Sequence, residues 1–143
     1  MSPDDLAQFA ARALSDTTRA WSVAEFADLL AAPHTVLTTR PHAFALGRVI
    51  ADEAELLLIA TDPAHRRVGI GRVCLTAFEA ACANRGATEL FLEVSVLNAA
   101  ARALYTAAGY TLRSERHAYY QTPAGGRENA LVLHKALTTP DPT

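Results

Sequence analysis

The chain has 143 residues and a formal net charge of -2 at pH 7, with half of its residues hydrophobic and a fifth charged. That length suits one buried core, so a single domain over residues 1–143 is expected, and the lack of a basic excess argues against a nucleic-acid partner. The N-terminus Met1-Ser2-Pro3-Asp4-Asp5 is acidic, and no apolar run reaches the roughly 20 residues of a bilayer span, so no membrane partner and a cytoplasmic location are expected.

Leu6, Phe9, Ala10, Ala13 and Leu14 recur at helical spacing, which predicts a helix over Leu6 to Leu14. Ser22-Val23-Ala24-Glu25 reads as a capping box with Trp21 and Phe26 at the staple positions, so a second helix should run from Ser22 to about Ala32 and stop before Pro33. Trp21 serves either as that staple or as a surface on which a ligand stacks. Strands follow over Thr35 to Thr39 and His42 to Ile50, with a turn around Arg40-Pro41 and a bulge signalled by Gly47. Ala54 to Thr61 is apolar on both faces and should lie centrally in the sheet, completing an antiparallel meander that Asp62-Pro63 ends.

A helix is predicted from Gly71 to about Arg85, capped by Gly86, and then a strand from Thr88 to Val96. The helical crossover makes that strand parallel to Ala54 to Thr61, with a ligand crevice beside the two strand ends. Asn98 should cap a short helix through Ala108, ended by Gly109. Two last strands, about Tyr110 to Tyr119 and Arg127 to Leu137, are joined by residues 122–126, and the tail over 138–143 is expected to fray. The fold class is therefore α+β: a mixed, mostly antiparallel sheet with one parallel pair and about four flanking helices.

Arg66-Arg67-Val68-Gly69-Ile70-Gly71 lies between the central strand and the long helix. No Lys or Ser/Thr follows Gly71, so it is not a P-loop, and Cys74 occupies the third glycine position of a dinucleotide fingerprint. An R-x-x-G-x-G turn still offers close backbone approach and a positive helix end, which suit a diphosphate; the plainer reading is a strand-to-helix turn with a glycine cap.

Glu93 interrupts the apolar run Leu90-Phe91-Leu92-Glu93-Val94. It is either a general base, since burial raises a carboxylate's pKa, or a residue of a solvated strand edge that shares its parity with Glu89 and Ser95. Tyr105 shares a helix face with Asn98, and its phenol either donates a proton to a leaving group or packs against Leu104 and Ala101. Cys74 and Cys82, eight positions apart on one helix, would lie about 12 Å apart and cannot form a disulfide. They read as buried inert thiols. The five histidines lack ligand spacing, so no metal is expected.

Taken together, Ile59-Ala60-Thr61-Asp62-Pro63, the Arg66 to Gly71 loop, Leu92-Glu93-Val94, Asn98-Ala99-Ala100-Ala101, Ala103-Leu104-Tyr105 and Gly109-Tyr110 resemble the GNAT superfamily of N-acetyltransferases in order and spacing. The resemblance is nearest to the bacterial ribosomal-protein-alanine N-acetyltransferases, and it extends into Arg116, Tyr119-Tyr120 and Gly126-Arg127-Glu128-Asn129-Ala130. It implies a GNAT-like fold and acetyl-CoA as co-substrate. On this reading Ile59, Ala60 and Thr61 bind the pantetheine arm, and Arg67, Val68, Gly69, Ile70, Gly71 and Arg72 bind the pyrophosphate. Asn98 contacts the cofactor farther along, Glu93 accepts the proton and Tyr105 donates one to the departing thiolate.

The mechanism it implies is direct attack of a neutral amine in a ternary complex. The expected partner is a peptide or protein N-terminus, that of a ribosomal protein being the first candidate, bound by a monomer or weak dimer. Departures from the family pattern fall on the acceptor side: Ala20 and Gln121 stand where prolines are usual, Asn129 where an acidic residue is common, and the final hairpin loop is one residue longer. They leave a small amine or a lysine side chain as the alternative acceptor, and a non-catalytic acyl-CoA-binding domain as the alternative class.

Overall fold

A computed structural model describes residues 1–13, 21–65, 69–121 and 126–137. The elements are α1 (Pro3–Ala13), α2 (Val23–Ala31), β1 (Thr35–Arg40), β2 (Ala43–Ile50), β3 (Glu53–Thr61), a 3-10 turn (Pro63–His65), α3 (Ile70–Asn84), β4 (Glu89–Ser95), α4 (Ala99–Ala107), β5 (Thr111–Gln121) and β6 (Arg127–Ala136). The six strands are ordered β1-β2-β3-β4-β6-β5, and every pair is antiparallel except β3 with β4. This is the expected α+β class.

Helix α1 begins three residues earlier than its apolar spacing predicts, because its start is set by capping. The Asp5 N–H donates to Ser2 Oγ at 3.1 Å and the Ser2 N–H to the Asp5 carboxylate at 3.0 Å, with Pro3 in the first helical position. Leu14 lies outside the described residues. Helix α2 carries the predicted capping box: the Glu25 N–H donates to Ser22 Oγ at 3.1 Å and the Ser22 N–H to Glu25 Oε1 at 3.2 Å. Trp21 stacks on Phe26 with centroids 5.5 Å apart, which supports the staple reading of Trp21. Ser22→Ala should cost about 1 kcal/mol and Ser22→Asp much less; equal losses by urea denaturation would place the helix start elsewhere.

The β1–β3 meander forms as expected, but His42 belongs to the turn rather than to the second strand, with φ 67 after Pro41. That is the turn geometry that favours Pro followed by a left-handed residue. The bulge signalled by Gly47 is present, yet its extra residue is on the neighbouring strand. Leu46 faces Leu58 while Gly47 faces Leu56, so Leu57 of β3 is the unpaired residue.

This bulge reverses the faces of β3. Ala54 and Leu56 pack with Cys74, Leu75, Phe78 and Cys82 of α3, whereas Leu58 and Ala60 pack with Leu6 of α1 and Phe26 of α2. The strand is thus buried on both sides by two different helical layers. Beyond it, β6 inserts between β4 and β5, an order that no local pattern in the sequence predicts.

Candidate active site

Strands β3 and β4 pair over only four positions, from Glu53 opposite Glu89 to Leu56 opposite Leu92. Pairing stops at the Leu57 bulge, although β3 continues to Thr61 and β4 to Ser95. Strand β2 holds one edge of Ile59, Ala60 and Thr61, and no described strand pairs with the other edge. The result is a gap lined by backbone N–H and C=O groups that an extended ligand can bond.

The N-terminus of α3 sits at the same place. A Cβ on Gly71 would lie 3.3 Å from Thr61 Oγ1 and 3.8 Å from Leu104 Cδ2, so the end of β3, the start of α3 and the body of α4 meet there. Gly69 caps α3 at φ 81 and has no side chain to satisfy the first N–H groups; bonding within the helix begins with the Val73 N–H to the Gly69 carbonyl at 3.1 Å. Such a helix start, with its first N–H groups and dipole, is chemically suited to an anion. Ile70 is half-buried and Arg72 exposed, while Arg67 and Val68 lie outside the described residues.

Glu93 and Tyr105 lie in opposite layers of the sheet. On β4, Leu90, Leu92 and Val94 are buried toward α3 and α4, while Glu89, Phe91 and Glu93 alternate onto the other face. The Glu93 side chain is 30% exposed, and Arg116 Nη1 donates to its Oε1 at 2.6 Å. The expected buried carboxylate is therefore a half-buried one bound to a guanidinium. Arg116 reaches it diagonally across β6, since Glu93 faces Val132 and Arg116 faces Ala130. Sequence reading gave Arg116 no role, and only the insertion of β6 between β4 and β5 brings the two together.

Tyr105 is 5% exposed in the α3/α4 layer, edge-on to Tyr110 with ring centroids 5.8 Å apart. Asn98 does cap α4, its Oδ1 accepting from the Ala101 N–H at 3.2 Å, which leaves the side-chain amide N–H groups for any cofactor contact. Both thiols are buried in the core. Burial pushes Cys74 up to about 11 and Cys82 up to about 12, so neither supplies a thiolate nucleophile near neutral pH.

Residues 6–110 match the acetyltransferase (GNAT) family. The chain is 43% identical over 91 residues to the ribosomal protein bS18-alanine N-acetyltransferase of Escherichia coli strain K12, a stretch covering 64% of this chain and 61% of that protein. The match therefore spans about three fifths of that relative's length. The crystal structure of the ribosomal-protein-S18-alanine N-acetyltransferase from Escherichia coli superposes with a TM-score of 0.84 at 32% identity, covering 99% of this chain and 91% of that one. Arabidopsis thaliana NAA60 in complex with acetyl-CoA shares the fold, with a TM-score of 0.79 at 12% identity over 94% of this chain and 93% of that one.

Proposed function

The chain belongs to the acetyltransferase (GNAT) family, and from that premise we propose that it transfers acetyl from acetyl-CoA to the α-amine of a protein N-terminus, a ribosomal protein beginning with alanine being the first candidate. The observation that carries this reading is the gap between β3 and β4, open just past Leu56 and Leu92, with Glu93 on one face and Tyr105 in the opposite layer. Acetyl-CoA supplies an activated thioester. The free edge of Ile59, Ala60 and Thr61 suits its extended amide-bearing arm, and the uncapped start of α3 at Gly69, Ile70 and Gly71 suits its pyrophosphate.

From the other face, Glu93 receives the proton of the amine, whose neutral form attacks the thioester, and Tyr105 protonates the departing thiolate. Since the two groups serve two partners that meet in one gap, no acyl-enzyme is needed. An N-terminal α-amine is about 2 to 3 pKa units less basic than a lysine side chain and is more often neutral at pH 7. The same reading puts the enzyme in the cytoplasm with ribosomal proteins, acting as a monomer or weak dimer; no described helix is long and apolar enough to cross a membrane.

Thiol release from acetyl-CoA, measured with a panel of N-terminal peptides beside lysine peptides and free polyamines, tests the acceptor. Turnover should be greatest with an alanine-initiated peptide. Turnover confined to polyamines or to lysine side chains would refute the N-terminal reading.

Tyr105→Phe keeps the buried ring and removes the proton donor, so kcat should fall by about 10²-fold, the low end for general acid catalysis, with acetyl-CoA affinity nearly unchanged. A rise in KM at unchanged kcat would instead give Tyr105 a binding role.

A further inference from the structure

The histidines are set apart along the chain, but the fold brings two of them together. His42, in the β1–β2 turn, stacks on His65, at the end of the 3-10 turn, with ring centroids 3.5 Å apart and planes within 7°. Asp62 completes the group, and one ligand atom from each of the three residues lies within 4.8 Å of the others. We propose that His42, Asp62 and His65 form a site for a divalent transition metal, with Zn²⁺ the best match.

The backbone already holds the three residues in place. The Asp62 N–H donates to the His42 carbonyl at 2.8 Å, and the His65 N–H donates to the Asp62 carbonyl at 2.9 Å. On the side chains, Asp62 Oδ1 accepts from the Ala64 N–H at 3.0 Å, while Oδ2 lies 3.9 Å from His65 Nδ1, beyond hydrogen-bond length. The His65 side chain is 41% exposed, but its Nδ1 is covered and has no hydrogen-bond partner among the described residues. A buried imidazole nitrogen without a donor or acceptor is the exception in folded proteins, and a metal ion would satisfy it.

Two imidazoles and one carboxylate form a borderline-soft donor set that suits Zn²⁺ over Mg²⁺ or Ca²⁺, and three protein ligands leave a fourth position for water. Zinc–ligand distances of about 2.0 to 2.2 Å require the donors to draw together and the two rings to leave their parallel stack. His42 is exposed, so its side chain can turn toward the ion without disturbing the core. Bound there, the ion would tie the β1–β2 turn to the segment that follows Thr61 on the way to α3.

Metal-stripped protein without a histidine tag, titrated with Zn²⁺ by calorimetry and with Co²⁺ by visible absorption, tests the site. One saturable equivalent is expected, with the ligand-field bands of a nitrogen- and oxygen-coordinated Co²⁺. His42→Ala, Asp62→Asn and His65→Ala should each weaken binding at least tenfold, whereas His34→Ala, an exposed histidine outside the group, should not. Absence of saturable binding, or a His65→Ala protein that binds as tightly as the unaltered chain while its circular dichroism is unchanged, would overturn the proposal.

Discussion

Glu93→Gln is expected to lower kcat/KM for an N-terminal peptide by about 10²- to 10⁴-fold near neutral pH, the range associated with general acid–base catalysis. An ammonium has no lone pair with which to attack a thioester, so the proton must leave before or during attack. Gln keeps the size of the side chain and still accepts a hydrogen bond from Arg116, but it cannot take up the proton. Raising the pH should recover part of the lost rate, because the amine then deprotonates without help.

The Arg116 contact sharpens this expectation. A guanidinium 2.6 Å from Oε1 competes with an incoming ammonium for the same carboxylate. Glu93→Gln removes both the base and the attraction, so KM for the peptide should rise while acetyl-CoA affinity stays the same. A pH–rate profile for Glu93→Gln that overlaid the unaltered enzyme would assign proton removal to another group, a water chain to the backbone being the first to examine.

Features written in short stretches of sequence were the ones sequence reading located well. The capping box at Ser22-Val23-Ala24-Glu25, the Asn98 cap and the left-handed Gly86 and Gly109 at helix ends are each decided by a few neighbouring residues. The same kind of signal stands at Ser2-Pro3-Asp4-Asp5, ahead of an apolar repeat that begins only at Leu6. The parallel pairing of β3 and β4 could be inferred from the length of the helical crossover between them.

What could not be read depends on contacts distant in the chain. Gly47 pointed to a bulge, but glycine frequency does not say which of two paired strands carries the extra residue; that depends on the register of β2 against β3. The ion pair of Glu93 with Arg116 and the stack of His42 on His65 join residues about two dozen positions apart, through the placement of β6 and the close of a turn. Residue pattern makes Glu93 and Tyr105 candidates for base and acid, but alternation along β4 and packing of α4 leave each an ordinary structural reading, and only the family resemblance favours the catalytic one.

Gly47→Ala is expected to destabilise the protein by about 3 kcal/mol or more, the upper end of the range for forcing extra volume into a packed core. A Cβ at that position would lie 2.1 Å from the Glu55 carbonyl oxygen and 2.5 Å from Phe78 Cζ. The cost is steric, since Gly47 is not among the glycines with positive φ. Phe78 could shift, but the Glu55 carbonyl belongs to the β3 backbone beside the bulge and cannot withdraw without disturbing the register. Phe78→Leu added to Gly47→Ala should therefore restore only part of the loss in urea denaturation.

The same clash has a functional consequence, because Phe78 belongs to the helix whose first turn forms the proposed pyrophosphate site. Pushing α3 off the sheet would move Gly69 and Gly71 relative to Thr61, so at a temperature where Gly47→Ala remains folded its affinity for acetyl-CoA should also fall. A loss below about 1 kcal/mol would mean that α3 and the bulge do not meet at Gly47 as closely as these distances state.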